Sequence, residues 1–450
     1  MRKVVVASSL IALSAHACRQ WDLYDPRLLA DGGNGGSLAD GGHGGAGASD
    51  GGTAATGGAG GLGGGGGGSS GACNQVTLLG DDFTGPELDG RWNVELGGAA
   101  TIDLVGGELL FTAQDDAYAA LYSRAFYDLT DAAFTVDLGT LPPNGFDDLD
   151  ISLVVPTWQE ELEWNLSGNL LEAAYHLDGN HTTVGTVTYA PDEHDRLRIR
   201  HADDTVFWET SPDGRRWNVV GQLAASGLFP LDLLYTEIWV AAGAGNQVEL
   251  GVTSVNEGLV EGVHCPMGDL SDDFEDGVVG RDWGTWSGDG CSILEGGEMT
   301  FAITMDMQTG CGLESRRNYD LTGGTATVQV LGSSTTDESD LAFVLGDPSG
   351  ANEVAFVIRN GNFQAHYVVD GVWTGLGSAP LGADPDRYFR FREQDGRISY
   401  ELSIDGSEWT AFSEIDAPFD PQAVTFAVYG GSWGPTNPNE QLVFDNVNPL

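Results

Sequence analysis

An internal duplication constrains this chain more than any other sequence feature. Asp82 returns as Asp273 and Arg124 returns as Arg316, so the period is 191 to 192 residues. The repeated blocks are DDF at 81–83 and 272–274, GGE at 106–108 and 296–298, YDLT at 127–130 and 319–322, and S-x-DG-x-x-W at 211–217 and 403–409. Both halves must therefore adopt one fold, and we predict two domains, at residues 73–265 and 266–450.

The pattern within each repeat is that of β-strands. Segments such as 133–138, 149–155 and 325–331 are rich in Val, Ile, Leu and Thr, while 196–200 alternates charged and apolar residues as a half-buried strand does. Turn residues separate these segments, and no pattern predicts a helix longer than one turn. About a dozen short strands per repeat favours a two-sheet β-sandwich.

The first residues are typical of an exported protein. Residues 1–17 combine a charged start, a short apolar run and a small-x-small cleavage site, and they predict a signal peptide. Cys18 follows directly and resembles the acylated cysteine of a bacterial lipobox, although Ala15 stands where such motifs usually carry Leu. Lipidation of Cys18 would anchor the chain to a membrane without a spanning helix, and ordinary secretory cleavage is the alternative.

A glycine-rich segment follows the signal peptide. Residues 31–71 contain 22 Gly in 41 residues, with no proline and no Phe, Trp or Tyr. Such a composition cannot bury a core, so we predict that residues 18–72 form a disordered tether.

The net charge of −48 limits the partners that the chain can bind. An anionic surface repels phosphate backbones and anionic lipid headgroups, so nucleic acid is excluded, and contact with a membrane is expected only through the lipid anchor. Cations are attracted instead. Most carboxylates are expected to solvate the surface, and a few to bind Ca²⁺.

Four cysteines remain once Cys18 is set aside, an even number in an oxidising compartment. Cys73 and Cys265 bracket the first repeat, whereas Cys291 and Cys311 fall at facing positions of what the pattern indicates are neighbouring strands. We therefore predict the disulfides Cys73–Cys265 and Cys291–Cys311, one for each domain.

The repeated motifs, with the closing segment VFDNV at 443–447, resemble the concanavalin A-like lectin/glucanase superfamily, and in particular LamG-like jelly-roll domains. The resemblance implies an all-β fold of two tandem jelly-roll β-sandwiches. It also implies a structural Ca²⁺ where the first and last strands meet, with Asp273 and Asp445 as ligands in the second copy and Asp82 in the first. The first copy departs from the pattern, because the position near Gly251 aligns with Asp445.

Glucanases of this superfamily carry E-x-D-x-x-E on the catalytic strand, and this chain lacks that motif. Asp148 and Asp150 in the first copy, like Glu338 and Asp340 in the second, supply two acids without the third. Glu161 and Glu163 would share a strand face but are not repeated. The histidines, His176 and His181 among them, lack the spacing of metal ligands, so we predict no catalytic residues.

Tryptophans are the best candidates for sugar contact, because an aromatic face stacks on a sugar ring. Those that recur in both copies more readily serve the fold. The candidates without a counterpart are Trp433, Trp373, Trp286, Trp158 and Trp164.

Together these features predict a surface-tethered protein that binds a polysaccharide or glycoprotein through lectin-like domains. The alternatives are an adhesion protein that binds other proteins and a glycoside hydrolase with an atypical site. We expect the chain at the outer membrane or cell surface, or else secreted, and its oligomeric state is left open. Carboxylates beside exposed tryptophan on the sheet face would indicate sugar binding, whereas a flat apolar patch would indicate protein binding.

Overall fold

The computed structural model describes residues 73–448, apart from 142–145, 158, 226, 259–262, 304–308, 334–338, 382–386 and 433–439. These residues form β-strands and two short 3₁₀ helices, Val76–Leu79 and Met267–Asp269, with no α-helix among them. The all-β prediction is therefore confirmed. The expectations for the signal peptide, Cys18 and the tether fall outside the described residues.

The strands fall into two sets along the chain. Those of the first half are β1 (Trp92–Val105), β2 (Glu108–Ser123), β3 (Ala133–Leu138), β4 (Phe146–Val154), β5 (Glu161–Gly168), β6 (Leu170–Leu177), β7 (Asn180–Thr188), β8 (Arg196–Ala202), β9 (Thr205–Ser211), β10 (Asn218–Ala224), β11 (Tyr235–Ala241) and β12 (Gln247–Val255). Those of the second half are β13 (Cys265–Pro266), β14 (Trp283–Ser287), β15 (Cys291–Glu295), β16 (Met299–Ile303), β17 (Thr309–Ser315), β18 (Tyr319–Asp320), β19 (Thr325–Gly332), β20 (Ser339–Gly346), β21 (Glu353–Arg359), β22 (Asn362–Val369), β23 (Val372–Pro380), β24 (Arg387–Gln394), β25 (Arg397–Ser403), β26 (Thr410–Asp416), β27 (Thr425–Ser432) and β28 (Glu440–Asp445).

The first half is an antiparallel sandwich whose two layers share one long hairpin. The strand order is β10-β9-β8-β3-β12-β2-β11-β4-β5-β6-β7, and β1 pairs with β2. Residues 109–114 of β2 pair with β12, and residues 118–122 pair with β11. The hairpin therefore passes from layer A, which holds β10, β9, β8, β3 and β12, into layer B, which holds β11 and β4 to β7.

The second half has the same two layers as separate sheets. Layer A has the order β15-β16-β28-β19-β24-β25-β26, and layer B has the order β14-β17-β27-β20-β21-β22-β23. Strands β14 and β15 stand where the first half has the continuous β1, and β16 and β17 stand where it has β2. The predicted jelly-roll arrangement is thus present in both halves.

Each half encloses its own apolar core, because alternate residues of both layers point inward. Among the largest fully buried side chains are Trp164 and Trp208 in the first core and Phe356, Phe389 and Tyr400 in the second. Burial of one such side chain contributes about 1.5 to 3 kcal/mol.

The duplication extends to single contacts. In each half an indole N–H donates to the first Asp of DDF, and a guanidinium lies over the Trp of S-x-DG-x-x-W. The pairs are Trp92–Asp81 at 2.9 Å, Trp283–Asp272 at 3.0 Å, Arg198–Trp217 at 3.8 Å and Arg390–Trp409 at 3.9 Å. The repeated tryptophans therefore serve the fold.

Both predicted disulfides are present, although each lies elsewhere than expected. Cys291 on β15 and Cys311 on β17 belong to opposite layers, so their bond joins the layers rather than neighbouring strands of one sheet. Cys265 packs in the second core, and β13 pairs with β18. The Cys73–Cys265 bond therefore ties the start of the first half to the second half.

The described residues include no helix that is long and apolar enough to cross a membrane.

Candidate ligand-binding face

The outer side of layer B in the first half carries polar and aromatic groups, because its strands alternate with period two. Leu149, Ile151 and Leu153 of β4 point into the core, which leaves Asp148, Asp150 and Ser152 on the other side. The neighbouring strands repeat this alternation. We call this side the acidic face; it comprises Glu95, Tyr118, Tyr122, Asp148, Asp150, Ser152, Glu161, Glu163, Asn165, Glu172, His176, His181, Glu237 and Trp239.

A stacked aromatic pair stands at the β2–β11 side of the acidic face. The rings of Tyr118 and Trp239 lie 4.3 Å apart and 10° from parallel, and both are half-buried. The Tyr118 hydroxyl donates to Glu95 at 2.8 Å. A Cβ at Gly97 would lie 2.0 Å from the Tyr118 ring, so only glycine lets the ring lie across β1.

Carboxylates and an amide continue the acidic face on β4 and β5. The amide N–H groups of Asn165 donate to Asp148 at 2.9 Å and to Asp150 at 2.6 Å. Burial raises the pKa of Asp150 well above its usual range, and the charges of Asp148 and Glu163 raise it further. Asp150 is therefore a carboxyl group that keeps its proton more readily than the acids around it.

Ser152 follows Asp148 and Asp150 on the same face of β4. Its hydroxyl is buried and makes no hydrogen bond. Glu237 on β11 and Glu163 on β5 are in register with it on either side. The neighbouring strands thus supply carboxylates that the β4 sequence lacks, and both are buried, at 3% and 6% exposure.

Two histidines converge on Glu163, an arrangement that the sequence analysis does not predict. His176 and His181 face each other across the β6–β7 hairpin. The Nε2 atoms of His176 and His181 lie 3.1 Å and 3.2 Å from Oε1 of Glu163. Nε2 of His181 also lies 3.4 Å from Oε1 of Glu172.

The corresponding face of the second half has different chemistry. Small apolar side chains replace Asp150, Ser152, Glu163, Asn165 and Glu237; they are Ala342, Val344, Ala355, Val357 and Ala427. All five are buried, so they form no exposed apolar patch. Glu353 keeps a carboxylate where the first half has Glu161. Asp340 is paired with Arg359 at 2.5 Å and 2.6 Å, yet burial outweighs this contact and raises its pKa.

The predicted ligand-binding tryptophans lie in different environments. Trp286 and Trp373 are half-buried on the outer side of layer B in the second half, but on its opposite edge strands, β14 and β23. Trp286 packs on Tyr429 and Trp373 on His366. Trp164 is 1% exposed and fills the first core, so its assignment to ligand contact is wrong. Trp158 and Trp433 lie outside the described residues.

The predicted calcium ligands have different surroundings in the two halves. Burial raises the pKa of Asp445, and the negative charges of Glu275, Asp273 and Glu298 raise it further, so other carboxylates lie in its neighbourhood. Calcium binding by Asp273 and Asp445 stays a prediction, in line with the preference of Ca²⁺ for carboxylate oxygens.

The first half lacks this set of carboxylates. Val255 pairs with Asp81 as Val447 pairs with Asp272, so Thr253, rather than a residue near Gly251, corresponds to Asp445. Asp82 is exposed and accepts from the backbone and hydroxyl of Thr84, at 3.1 Å and 2.7 Å.

Several solved structures are similar to this chain. One is a laminarinase from Flavobacterium sp. UMI-01, with 14% identity and a TM-score of 0.32 over 39% of this chain and 96% of that one. Another is the endo-1,3-beta-glucanase (laminarinase) catalytic domain from Thermotoga petrophila RKU-1, with 11% identity and a TM-score of 0.32 over 40% and 94%. A third is apo Crh5 transglycosylase, with 12% identity and a TM-score of 0.32 over 40% and 82%. Neither a protein-family model nor a curated protein matches the sequence.

The sequence analysis does not predict two groups on the acidic face, although a pattern in the sequence indicates each of them. Trp239 was passed over, although Tyr235 to Ala241 alternates in the way that places Glu237 and Trp239 on one face. His176 and His181 flank Asp178-Gly179, a dipeptide typical of a two-residue hairpin turn. Residues at i and i+5 around such a turn face each other, so their spacing does permit a shared ligand.

Proposed function

We propose that this chain is an exported polysaccharide-binding protein whose acidic face in the first half holds the sugar. One observation carries the proposal: the stacked Tyr118–Trp239 pair lies on the same sheet face as Asp148, Asp150 and Asn165. The criterion for sugar binding is exposed tryptophan beside carboxylates, and this face places a half-buried tryptophan beside carboxylates.

The chemistry of a sugar matches both parts of this face. The C–H side of a pyranose ring stacks on an aromatic face, while carboxylate and amide groups exchange hydrogen bonds with its hydroxyls. A net charge of −48 opposes the approach of sulfated or uronic polysaccharides. Neutral polysaccharides are therefore the expected class.

Substitution of the aromatic pair tests the proposal. Trp239→Ala should weaken binding to a neutral polysaccharide at least about tenfold, which corresponds to about 1.4 kcal/mol. Binding is measured by calorimetry or affinity electrophoresis across a panel of β-glucans and galactans. The matched control is Trp286→Ala, on the corresponding face of the second half, which should bind as the wild type does.

Two results would contradict the proposal. One is the absence of binding to every neutral polysaccharide in the panel. The other is unchanged binding by Trp239→Ala when its thermal unfolding matches that of the wild type.

A second candidate function is glycoside hydrolysis, and the raised pKa of Asp150 favours it. A carboxyl that keeps its proton can act as a general acid, and Asp148 stands two residues away on the same strand face. Release of reducing sugar from β-glucans or galactans, lost in Asp150→Asn, would support this function. No release by the wild-type protein would exclude it for those substrates.

The proposal extends to the location of the protein. The predicted signal peptide, the acylated Cys18 and the glycine-rich tether would together hold the binding face outside the cell. The tether would give this face reach, because a flexible chain of 41 residues has an end-to-end distance of roughly 35 Å.

A further inference from the structure

The cluster of Glu163, His176 and His181 has a geometry that the proposed sugar site does not require. The three ligating atoms, one from each side chain, lie within 4.8 Å of one another. Both imidazole nitrogens approach the same carboxylate oxygen, at 3.1 Å and 3.2 Å. The three groups therefore point to one common centre.

These separations match those between the ligands of a small divalent cation. Zinc binds histidine nitrogen at about 2.0 to 2.1 Å and carboxylate oxygen at about 2.0 to 2.2 Å, so tetrahedral ligands stand about 3.4 Å apart. Two histidines and one glutamate form a known zinc-binding set that leaves a fourth position for water or a ligand oxygen. Calcium and magnesium prefer sites built of oxygen alone, so they fit this set poorly.

The backbone holds the three groups in place before any ion arrives. The hairpin between β6 and β7 turns at Asp178 and Gly179, whose φ values are 50° and 73°, and this fixes His176 opposite His181. Glu163 is 6% exposed, and the indole of Trp208 donates to its backbone carbonyl at 2.8 Å.

Further negative charge lies beside the cluster. Oε1 of Glu172 stands 3.4 Å from Nε2 of His181 and also accepts the hydroxyl of Thr183. A second carboxylate at this distance favours a divalent cation over an empty site.

We propose that Glu163, His176 and His181 bind a divalent transition metal of the Zn²⁺ class at the β5–β7 edge of the acidic face. The site occurs in the first half alone among the described residues. In the second half Ala355 stands in place of Glu163, and His366 faces Gly375 across the β22–β23 hairpin. The proposal is independent of polysaccharide binding.

Zinc titration of the mature full-length protein tests the site. Excess Ca²⁺ is included so that oxygen-only sites are already filled. The wild type should bind one Zn²⁺, and Co²⁺ in its place should give the intense visible absorption of a four-coordinate ion. His181→Ala should lower zinc affinity by at least about 100-fold, since even indirect partners of metal ligands cost 10-fold to 100-fold.

Two variants make the test specific. His181 is 45% exposed at its side chain, so its truncation leaves the core intact. His366→Ala removes a histidine from the corresponding face of the second half and should keep wild-type zinc affinity. The proposal is overturned if the wild type binds no Zn²⁺ in excess Ca²⁺, or if His181→Ala and the wild type bind it equally.

Discussion

At the scale of single residues, the two halves share an ion-pair network on layer A. Glu209 accepts from Arg198 at 2.8 Å and from Arg200 at 3.1 Å. Glu401 holds the corresponding place with Arg390 and Arg392. Burial opposes the ionisation of Glu209, but the two guanidinium groups outweigh it, so the pKa of Glu209 lies below its ordinary value.

Glu209→Gln should therefore destabilise the first half by about 3 kcal/mol at neutral pH, because it leaves two arginines without their charge partner. The lowered pKa stabilises the fold above the unfolded-state pKa of about 4.5, and this contribution is lost as the pH falls through the folded-state value. In Glu209→Gln, the free energy of unfolding should therefore fall less steeply as the pH is lowered. Urea unfolding at pH 7 and below pH 4.5 measures both effects.

The matched control for this variant is Glu408→Gln. Glu408 is exposed, and its replacement should change stability by less than about 0.5 kcal/mol. Equal loss in the two variants would mean that the network contributes nothing.

Residue types on the acidic face were only partly predictable. Asp148, Asp150, Glu161 and Glu163 follow from period two within single strands. The shared amide of Asn165 depends on the register between β4 and β5. The stack of Tyr118 on Trp239 depends on the register between β2 and β11, which lie far apart in sequence. A single sequence without contact information does not fix that register. Trp164 was assigned to the surface because the alternation of polar and apolar residues does not distinguish an aromatic side chain in the core from one on the surface.

At the scale of elements, the predicted strands 133–138 and 196–200 coincide with β3 and the start of β8. The repeated sequence motifs do not predict one structural difference between the halves. The hairpin β1–β2 is continuous, whereas its counterpart is divided into β14, β15, β16 and β17. The Cys291–Cys311 bond joins the layers next to this division, which gives the pair a structural role that the first half does not need.

The first and last segments of the second half meet at the predicted calcium site. Removal of calcium tests this site. Asp273 and Asp445 should hold Ca²⁺, because burial and the negative charges of Glu275, Asp273 and Glu298 raise the pKa of Asp445, and a divalent cation would offset those charges. Calcium at 100 times its dissociation constant should stabilise the second half by about 2.7 kcal/mol, and EDTA should reverse this.

Calorimetric melting with Ca²⁺ or EDTA measures this effect. Asp445→Asn should abolish the response to calcium, whereas Asp82→Asn in the first half should leave it intact. A melting temperature that is the same in calcium and in EDTA would contradict the assignment.

At the scale of the whole molecule, duplication has produced two similar β-sandwiches whose surfaces differ in chemistry. The cores and the turn motifs recur, while the centre of the outer side of layer B carries carboxylates and an amide in one half and small apolar residues in the other. The fold was therefore predictable from repeated residues. The proposed function depends on residues that are not repeated, and for these the comparison of the halves gives no guidance.

The attachment of the molecule gives the last prediction. If Cys18 is acylated after removal of residues 1–17, cells expressing the protein should incorporate labelled palmitate into it, and the protein should fractionate with membranes. Cys18→Ser should abolish both without altering polysaccharide binding, because the tether separates Cys18 from the first described residue by more than fifty positions. Palmitate labelling of the wild type decides between lipid anchoring and ordinary secretion. A soluble, unlabelled wild-type protein in the medium would establish that Cys18 is not a lipid attachment site and that the tether serves a free protein.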